Sequence, residues 1–250
     1  MSIVNAAQEA MAHSEGTARI AVLVPSTFLL DGEICEMAAR RGAEAHLFRV
    51  HPESVADPRD SDAVARMVED MGSVESLSKA AAQTADVVPH AIVWACTSGS
   101  FLGDGDYGER QARALSKSAG NVPATTTSLA LVTALKRIRA RKLLVLTPYH
   151  AEIGIEFVNF LEKNGFDAVG QAHAGKGSDG EVGALRLRDF LALAQSAGTS
   201  PRDAIVIPCT AVRDRRMSAE LSRELRLPVI AANAATMDLA VQLAREEHAA

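Results

Sequence analysis

The chain has 250 residues, of which 48% are hydrophobic and 23% charged, and its formal net charge is −5. This composition is that of an ordinary globular protein and excludes the low-hydrophobicity, high-charge signature of disorder. Acidic residues outnumber basic ones, and the basic runs are too short to form a positively charged groove along a phosphate backbone. We therefore expect no nucleic-acid partner. No stretch approaches the roughly 18 to 20 uninterrupted apolar residues of a membrane helix, so we expect no membrane contact.

The N-terminal segment and the cysteines indicate the compartment. Residues 1–16 carry no Lys or Arg and no apolar core of signal-peptide length, so we expect a frayed N-terminus on a cytoplasmic protein. Cys35, Cys96 and Cys209 are too few and too far apart for a disulfide framework, and none belongs to a CxxC pair that could hold zinc. We therefore expect free thiols in a reducing compartment and no metal site.

Short apolar runs alternate with helical patterns along the chain. Continuous apolar strands with helices between them are typical of parallel sheets covered on both faces, so we predict an α/β fold. The stretch 61–88 is long enough for two helices, broken near Gly72. In chain order the predicted strands are 19–24, 43–50, 91–95, 142–147, 166–171 and 204–207, and the other predicted helices are 34–41, 128–139, 153–163 and 236–246.

The second half of the chain repeats the first. Residues 19–25 match 142–148, and residues 91–97 match 204–210, so that Cys96-Thr97 is equivalent to Cys209-Thr210. A Val-Pro pair and a Leu-Pro pair ahead of a helix form a third match in the same order. We therefore predict two pseudo-symmetric flavodoxin-like lobes, each with a mostly parallel sheet flanked by helices. The expected domains are an N-terminal lobe of residues 18–125, completed by 229–250, and a C-terminal lobe of 126–228.

Both Cys-Thr pairs follow a strand, at the carboxyl edge of the sheet where ligands bind in α/β folds. If the lobes face each other, Cys96 and Cys209 present two thiols to one cleft. The turns after them supply N–H and hydroxyl donors that can bind a carboxylate, and the same positive field is expected to lower both thiol pKa values. Cys35 has no equivalent in the other half and is expected in the core.

These motifs, with Thr147-Pro148-Tyr149, resemble the aspartate/glutamate racemase superfamily, most closely its branch of maleate cis-trans isomerases and arylmalonate decarboxylases. The resemblance covers residues 19–246 and implies a site between two lobes that uses cysteines and needs no cofactor or metal. Cys96 stands where the decarboxylases have glycine, which favours the isomerases. The chain departs from the isomerases at Thr27-Phe28, because they carry Asn-Thr shortly after the Pro-Ser of the first strand.

The resemblance implies cis–trans isomerisation of a small unsaturated dicarboxylate such as maleate, in a homodimer or larger homo-oligomer. Cys96 would be the nucleophile and Cys209 the acid/base. Two alternatives stay open: a two-thiol racemase, epimerase or decarboxylase acting alpha to a carboxylate, and a non-catalytic protein that binds small carboxylates. The resemblance also points to Asp179, in the loop 175–180, because related isomerases use an Asn in this region, but Asp179 is not among the predicted site residues. The implied substrate-binding residues are Ser26, Thr97, Ser98, Tyr149, Thr210 and Ala211.

Overall fold

The computed structural model describes residues 17–53 and 55–249, so the expected fraying of residues 1–16 lies outside it. The described chain contains two four-stranded sheets, both fully parallel, with the orders β2-β1-β3-β4 and β6-β5-β7-β8. The same strand order in both halves confirms the predicted two-lobed α/β fold. The strands are β1 (Ala18–Pro25), β2 (Ala43–Val50), β3 (Ala91–Trp94), β4 (Ala124–Thr126), β5 (Lys142–Thr147), β6 (Asp167–His173), β7 (Ala204–Ile207) and β8 (Val229–Ala231).

The helices connect the parallel strands and cover the sheets. Two of them occupy the stretch 61–88 and break at Gly72, where the Ser73 hydroxyl accepts a hydrogen bond from the Ser76 N–H at 3.1 Å and caps the second helix. The helices are α1 (Asp31–Arg40), α2 (Ser61–Gly72), α3 (Val74–Ala82), α4 (Ser98–Phe101), α5 (Tyr107–Ser118), α6 (Thr127–Arg137), α7 (Ala151–Lys163), α8 (Asp179–Ala184), α9 (Leu187–Ser196), α10 (Asp214–Leu225) and α11 (Ala232–His248).

The central strands of both sheets are buried, and one continuous cluster of apolar side chains contains residues of both. Leu23 and Trp94 of the first sheet belong to the same cluster as Leu144 and Val206 of the second. Such a shared core fixes the carboxyl edges of the two sheets relative to each other. Among the described residues, none of the helices has the length and apolar character that crossing a membrane requires.

The C-terminal helix α11 lies against the first sheet. Its apolar residues Met237 and Val241 pack in one cluster with Val22 of β1 and Val93 of β3. At its start, the Thr236 hydroxyl donates a hydrogen bond to the side-chain oxygen of Thr127 in α6 at 3.0 Å. The last helix of the chain therefore contacts elements of the first half, while the domain boundaries given above stay a prediction.

Candidate active site

Two cysteine turns meet where the central strands β3 and β7 end. Cys96 and Cys209 are both buried, and both line one cavity of about 340 Å³. The structure also brings Thr97, Ser98, Tyr149 and Thr210 to this cavity. Ser26 and Ala211 are not among the described residues that line it.

Each threonine that follows a cysteine bonds to the turn of the other lobe. The Thr97 hydroxyl oxygen accepts a hydrogen bond from the backbone N–H of Cys209 at 2.9 Å, and the Thr210 hydroxyl donates to the Ala95 carbonyl at 3.1 Å. Both bonds are buried. The proton of the Thr210 hydroxyl is thus already in a hydrogen bond. The Thr97 hydroxyl only accepts in its bond, so its proton can be donated to a ligand. The two threonines therefore join the turns, a role that the sequence motif alone does not indicate.

The backbone of Cys209 is strained. Its φ of +87° lies in a region that residues other than glycine rarely adopt. Such conformations persist where the surrounding contacts fix them, and they concentrate at functional sites. Here the bond from the Cys209 N–H to Thr97 is one of those contacts.

A polar network supports the Cys96 turn from behind. The Gly99 carbonyl accepts hydrogen bonds from the Trp94 indole N–H at 3.1 Å and from the Gln111 amide at 2.6 Å. The Gln111 amide also donates to the Gly72 carbonyl at 2.6 Å. A Cβ atom at Gly72 would lie 2.2 Å from the Gly99 carbonyl oxygen, so only glycine lets the end of α2 pack on this turn. Trp94 therefore positions the turn as well as filling the core.

The first residues of α6 and α11 hold the two turns in equivalent ways. The Ser128 hydroxyl donates to the Ser100 carbonyl at 2.9 Å, just after the first turn. The Asn233 amide donates to the carbonyls of Thr210 and Val212 at 3.0 and 3.1 Å, in the second turn. The pseudo-twofold relation of the lobes thus extends from the strands to the residues that support each cysteine.

Burial controls the ionisation of the thiols. Loss of hydration raises the pKa of Cys96 to about 12 and raises that of Cys209 further, and the negative charge of Asp179 adds to both increases. The Gly99 N–H and the Ser98 hydroxyl oppose this shift at Cys96 without cancelling it. The expected lowering of the thiol pKa values is therefore wrong. The helix that begins at Ser98 has only four residues, and its field does not offset the loss of hydration.

The Tyr149 hydroxyl faces the cavity without a hydrogen-bond partner. The residue is 6% exposed, and within the described chain its hydroxyl oxygen makes no hydrogen bond of normal geometry. Burial raises its pKa well above the usual value, so the group is a neutral donor, and Cys209 and Thr97 are the polar side chains that influence it. Because an unpaired buried polar group is costly, this hydroxyl is suited to bind a ligand atom.

Asp179, the first residue of α8, is a site residue that sequence reasoning missed. It lines the cavity, and its carboxylate accepts a hydrogen bond from the Thr27 hydroxyl at 2.7 Å. Burial raises its pKa. It belongs to no repeat and lies far from both cysteines in the sequence. Its position in a Gly-rich loop and the resemblance at that loop were the available signals, and they were too weak to include it.

The rest of the cavity is largely apolar and is closed by two loops. Val64, Met67 and Val68 of α2 form one wall. The loops that contain Pro58 and Gly177 touch above the cavity, because a Cβ atom at Gly177 would lie 1.7 Å from the Pro58 carbonyl oxygen. The site is therefore a small cavity with an apolar wall, in which hydrogen-bond donors lie near two sulfur atoms.

Cys35 does not belong to this site or to the core. It is exposed on α1, so the expectation that it packs inside is wrong. The buried residues of that helix are Ile34, Met37 and Ala38. This spacing turns the intervening Cys35 side chain toward solvent.

Comparisons with known proteins agree with this geometry. The family model described as arylmalonate decarboxylase matches residues 63–250. The chain belongs to the arylmalonate decarboxylase family. Its membership confirms the resemblance that the cysteine motifs indicated.

Maleate isomerases are among the proteins to which this member of the family is similar. The maleate isomerase of Nocardia farcinica (strain IFM 10152) is 28% identical over 155 residues, which are 60% of this chain and 62% of that protein. The match thus spans less than two thirds of the length of that relative.

Two solved structures show the same fold. The maleate isomerase Iso from Pseudomonas putida S16 has a TM-score of 0.77 at 21% identity, over 88% of this chain and 90% of its own. A mutant of the Nocardia farcinica maleate cis-trans isomerase, with a covalently bound succinylcysteine intermediate, has a TM-score of 0.76 at 22% identity, over 91% and 93%.

The raised thiol pKa values predict a steep pH dependence of alkylation. Below the pKa, the thiolate fraction increases about tenfold per pH unit, so iodoacetamide labelling of Cys96 and Cys209 should rise about tenfold per unit from roughly pH 7 to 10 without levelling off. Peptide mass spectrometry measures each site separately, with the exposed Cys35 as the internal reference for reagent access. A plateau for either buried cysteine near pH 7 would show that its thiol is already ionised.

Proposed function

We propose that this protein is a cofactor-independent cis–trans isomerase of a small α,β-unsaturated carboxylate, with Cys96 as the nucleophile and Cys209 as the acid and base. The observation that carries the proposal is the meeting of two buried thiols in one cavity, beside the unpartnered hydroxyl of Tyr149. The maleate isomerases among its relatives, one of them with a succinylcysteine intermediate, support the same chemistry. The sequence prediction of a maleate-type dicarboxylate gives the starting substrate class.

The reaction starts in the small fraction of molecules in which the cysteine pair has lost one proton to solvent, since burial raises both thiol pKa values. The Cys96 thiolate adds to one alkene carbon and forms a C–S bond. The π electron pair moves toward the adjacent carboxylate and generates an enediolate. Tyr149 and Thr97 supply hydroxyl donors for the negative charge, and donors held in place in a buried site stabilise such a charge better than water does.

Cys209 completes the cycle by moving one proton in each direction. Its thiol gives a proton to the carbon next to the C–S bond, which leaves a saturated thioether and a Cys209 thiolate. The former double bond is now single and rotates. Cys209 then removes the proton, the C–S bond breaks, and the electron pair returns to Cys96 as the trans alkene leaves. Atoms and charge balance without an oxidant or a further reactant.

The remaining features of the proposal concern assembly and location. We propose a cytoplasmic homodimer or larger homo-oligomer whose lobes comprise residues 18–125 with 229–250, and 126–228. The family resemblance supports the oligomer, and the three free cysteines fit a reducing compartment. The packing of α11 against the first sheet supports the assignment of the C-terminal segment to the N-terminal lobe.

Proton NMR in D2O tests the reaction directly. With maleate and its monoamide as candidate substrates, at least one set of cis alkene signals should be replaced by trans signals. Cys96→Ser and Cys209→Ser should each lower the rate by about a thousandfold or more, because each removes a group that bonds to the reacting atoms. Cys35→Ser, on the exposed face of α1, is the matched control and should keep the wild-type rate.

Other outcomes of that experiment point to the alternatives. Exchange of the α-proton of amino or hydroxy acids for deuterium, without alkene conversion, would indicate a racemase or epimerase. Release of carbon dioxide from a malonate would indicate a decarboxylase. Wild-type conversion in either buried-cysteine variant would remove that residue from the mechanism.

Tyr149→Phe tests the proposed hydrogen bond to the substrate. The variant keeps the ring and removes the unpartnered hydroxyl that lines the cavity, so kcat/KM should fall ten- to a thousandfold, about 1.4 to 4 kcal/mol of transition-state stabilisation. The melting temperature should stay the same or rise slightly, because no protein hydrogen bond is lost. Unchanged kinetics would assign Tyr149 to packing alone.

A further inference from the structure

The cavity holds a carboxylate that the mechanism does not use. Asp179 lines the cavity together with both cysteines, and its charge acts on both sulfur atoms, since it raises both thiol pKa values. Its single hydrogen-bond donor in the described chain is the Thr27 hydroxyl. Asp179 therefore gives this chamber a negative end, and its charge has no resolved effect on Tyr149.

Among the described residues, no salt bridge neutralises that end. Among the described residues that line the cavity, Lys176 has the one cationic side chain, and it forms no salt bridge with Asp179. Its charge lowers the pKa of the exposed Glu181, whereas it has no resolved effect on Cys96, Cys209 or Asp179. Among the charged residues that line the cavity, Asp179 is therefore the one whose charge acts on both sulfur atoms.

A second carboxylate of the substrate would be poorly placed in this environment. Apolar side chains such as Val64, Met67 and Val68 offer no donors on one wall, and apart from Lys176 the side-chain donors that line the rest of the cavity are uncharged. Repulsion from Asp179 would add to that cost, because two like charges interact strongly in a partly dry site. An amide, hydroxyl or ammonium group would instead donate a hydrogen bond to Asp179.

We propose that Asp179 determines the substrate class: one end of the substrate is a carboxylate bound at Tyr149, and the other end is a neutral or cationic hydrogen-bond donor bound by Asp179. Dicarboxylates are disfavoured. The inference rests on the proposed function. It replaces the dicarboxylate substrate that the sequence predicts with a monocarboxylate that carries a hydrogen-bond donor at its other end. It assigns Asp179 to specificity, with no part in the bond-making steps.

Binding of unreactive saturated analogues tests this assignment without requiring turnover. Isothermal titration calorimetry at pH 7.5 would compare succinate with its monoamide, which has the same carbon chain and one carboxylate fewer. Wild-type protein should bind the monoamide at least about tenfold more tightly. Asp179→Asn keeps an oxygen acceptor for the Thr27 hydroxyl and removes the charge, so the preference should vanish or reverse.

Two further variants provide controls. Asp179→Glu keeps the charge and should keep the preference for the monoamide. Asp167→Asn removes an exposed carboxylate at the start of β6, the edge of the second sheet away from the cysteines, and should leave both Kd values unchanged. Circular dichroism and melting temperature establish that each variant is folded.

The outcomes separate this inference from the proposed reaction. Equal or tighter binding of succinate by the wild type, binding of neither ligand, or an unchanged preference in Asp179→Asn would overturn the role of Asp179. If the predicted binding pattern is found and no alkene is converted, the isomerase proposal fails and the specificity assignment stands. If maleate is isomerised equally well by wild type and Asp179→Asn, the isomerase proposal stands and the specificity role of Asp179 fails.

Discussion

The site depends on two buried hydrogen bonds that cross between the lobes, from Cys209 N–H to Thr97 and from Thr210 to the Ala95 carbonyl. A buried hydrogen bond contributes only about 1 kcal/mol net, but an unmade one costs more, because a buried donor or acceptor is left without a partner. The bond at Thr97 also helps to hold the strained φ of Cys209. These contacts keep two thiols on opposite turns in one chamber, so the lobes cannot separate without unpairing buried groups.

Much of the fold could be predicted because its signals are local. The strands at 43–50, 142–147 and 204–207 have the predicted bounds, and for the last two a nearly continuous apolar run that ends at a proline shows the length directly. The three repeated motifs predicted two equivalent lobes, and the same strand order in both sheets agrees with that prediction. The strands β4 and β8 could not be predicted. Each has three residues after a proline, which are too few to show a repeating pattern of apolar residues.

The site could be predicted only where a motif marks it. The cavity does contain both cysteines, but their ionisation depends on burial, and burial is a property of the whole fold. The motif indicated a turn with donors, and the structure adds the loss of hydration that outweighs them. Asp179 enters the chamber through the packing of a loop against Thr27, a contact between residues 152 positions apart. The effects of burial and of Asp179 on the thiol pKa values can therefore be inferred only from the tertiary structure.

The central claim is that Cys96 forms a bond to an alkene carbon while Cys209 handles the proton. Intact-mass and peptide mass spectrometry of Cys209→Ser, incubated with maleate or its monoamide, tests that claim most directly. The account predicts a covalent adduct with the mass of one substrate molecule on Cys96, and no adduct in Cys96→Ser under the same conditions. An adduct confined to the exposed Cys35, or no adduct on a folded protein that still binds the substrate, would contradict it.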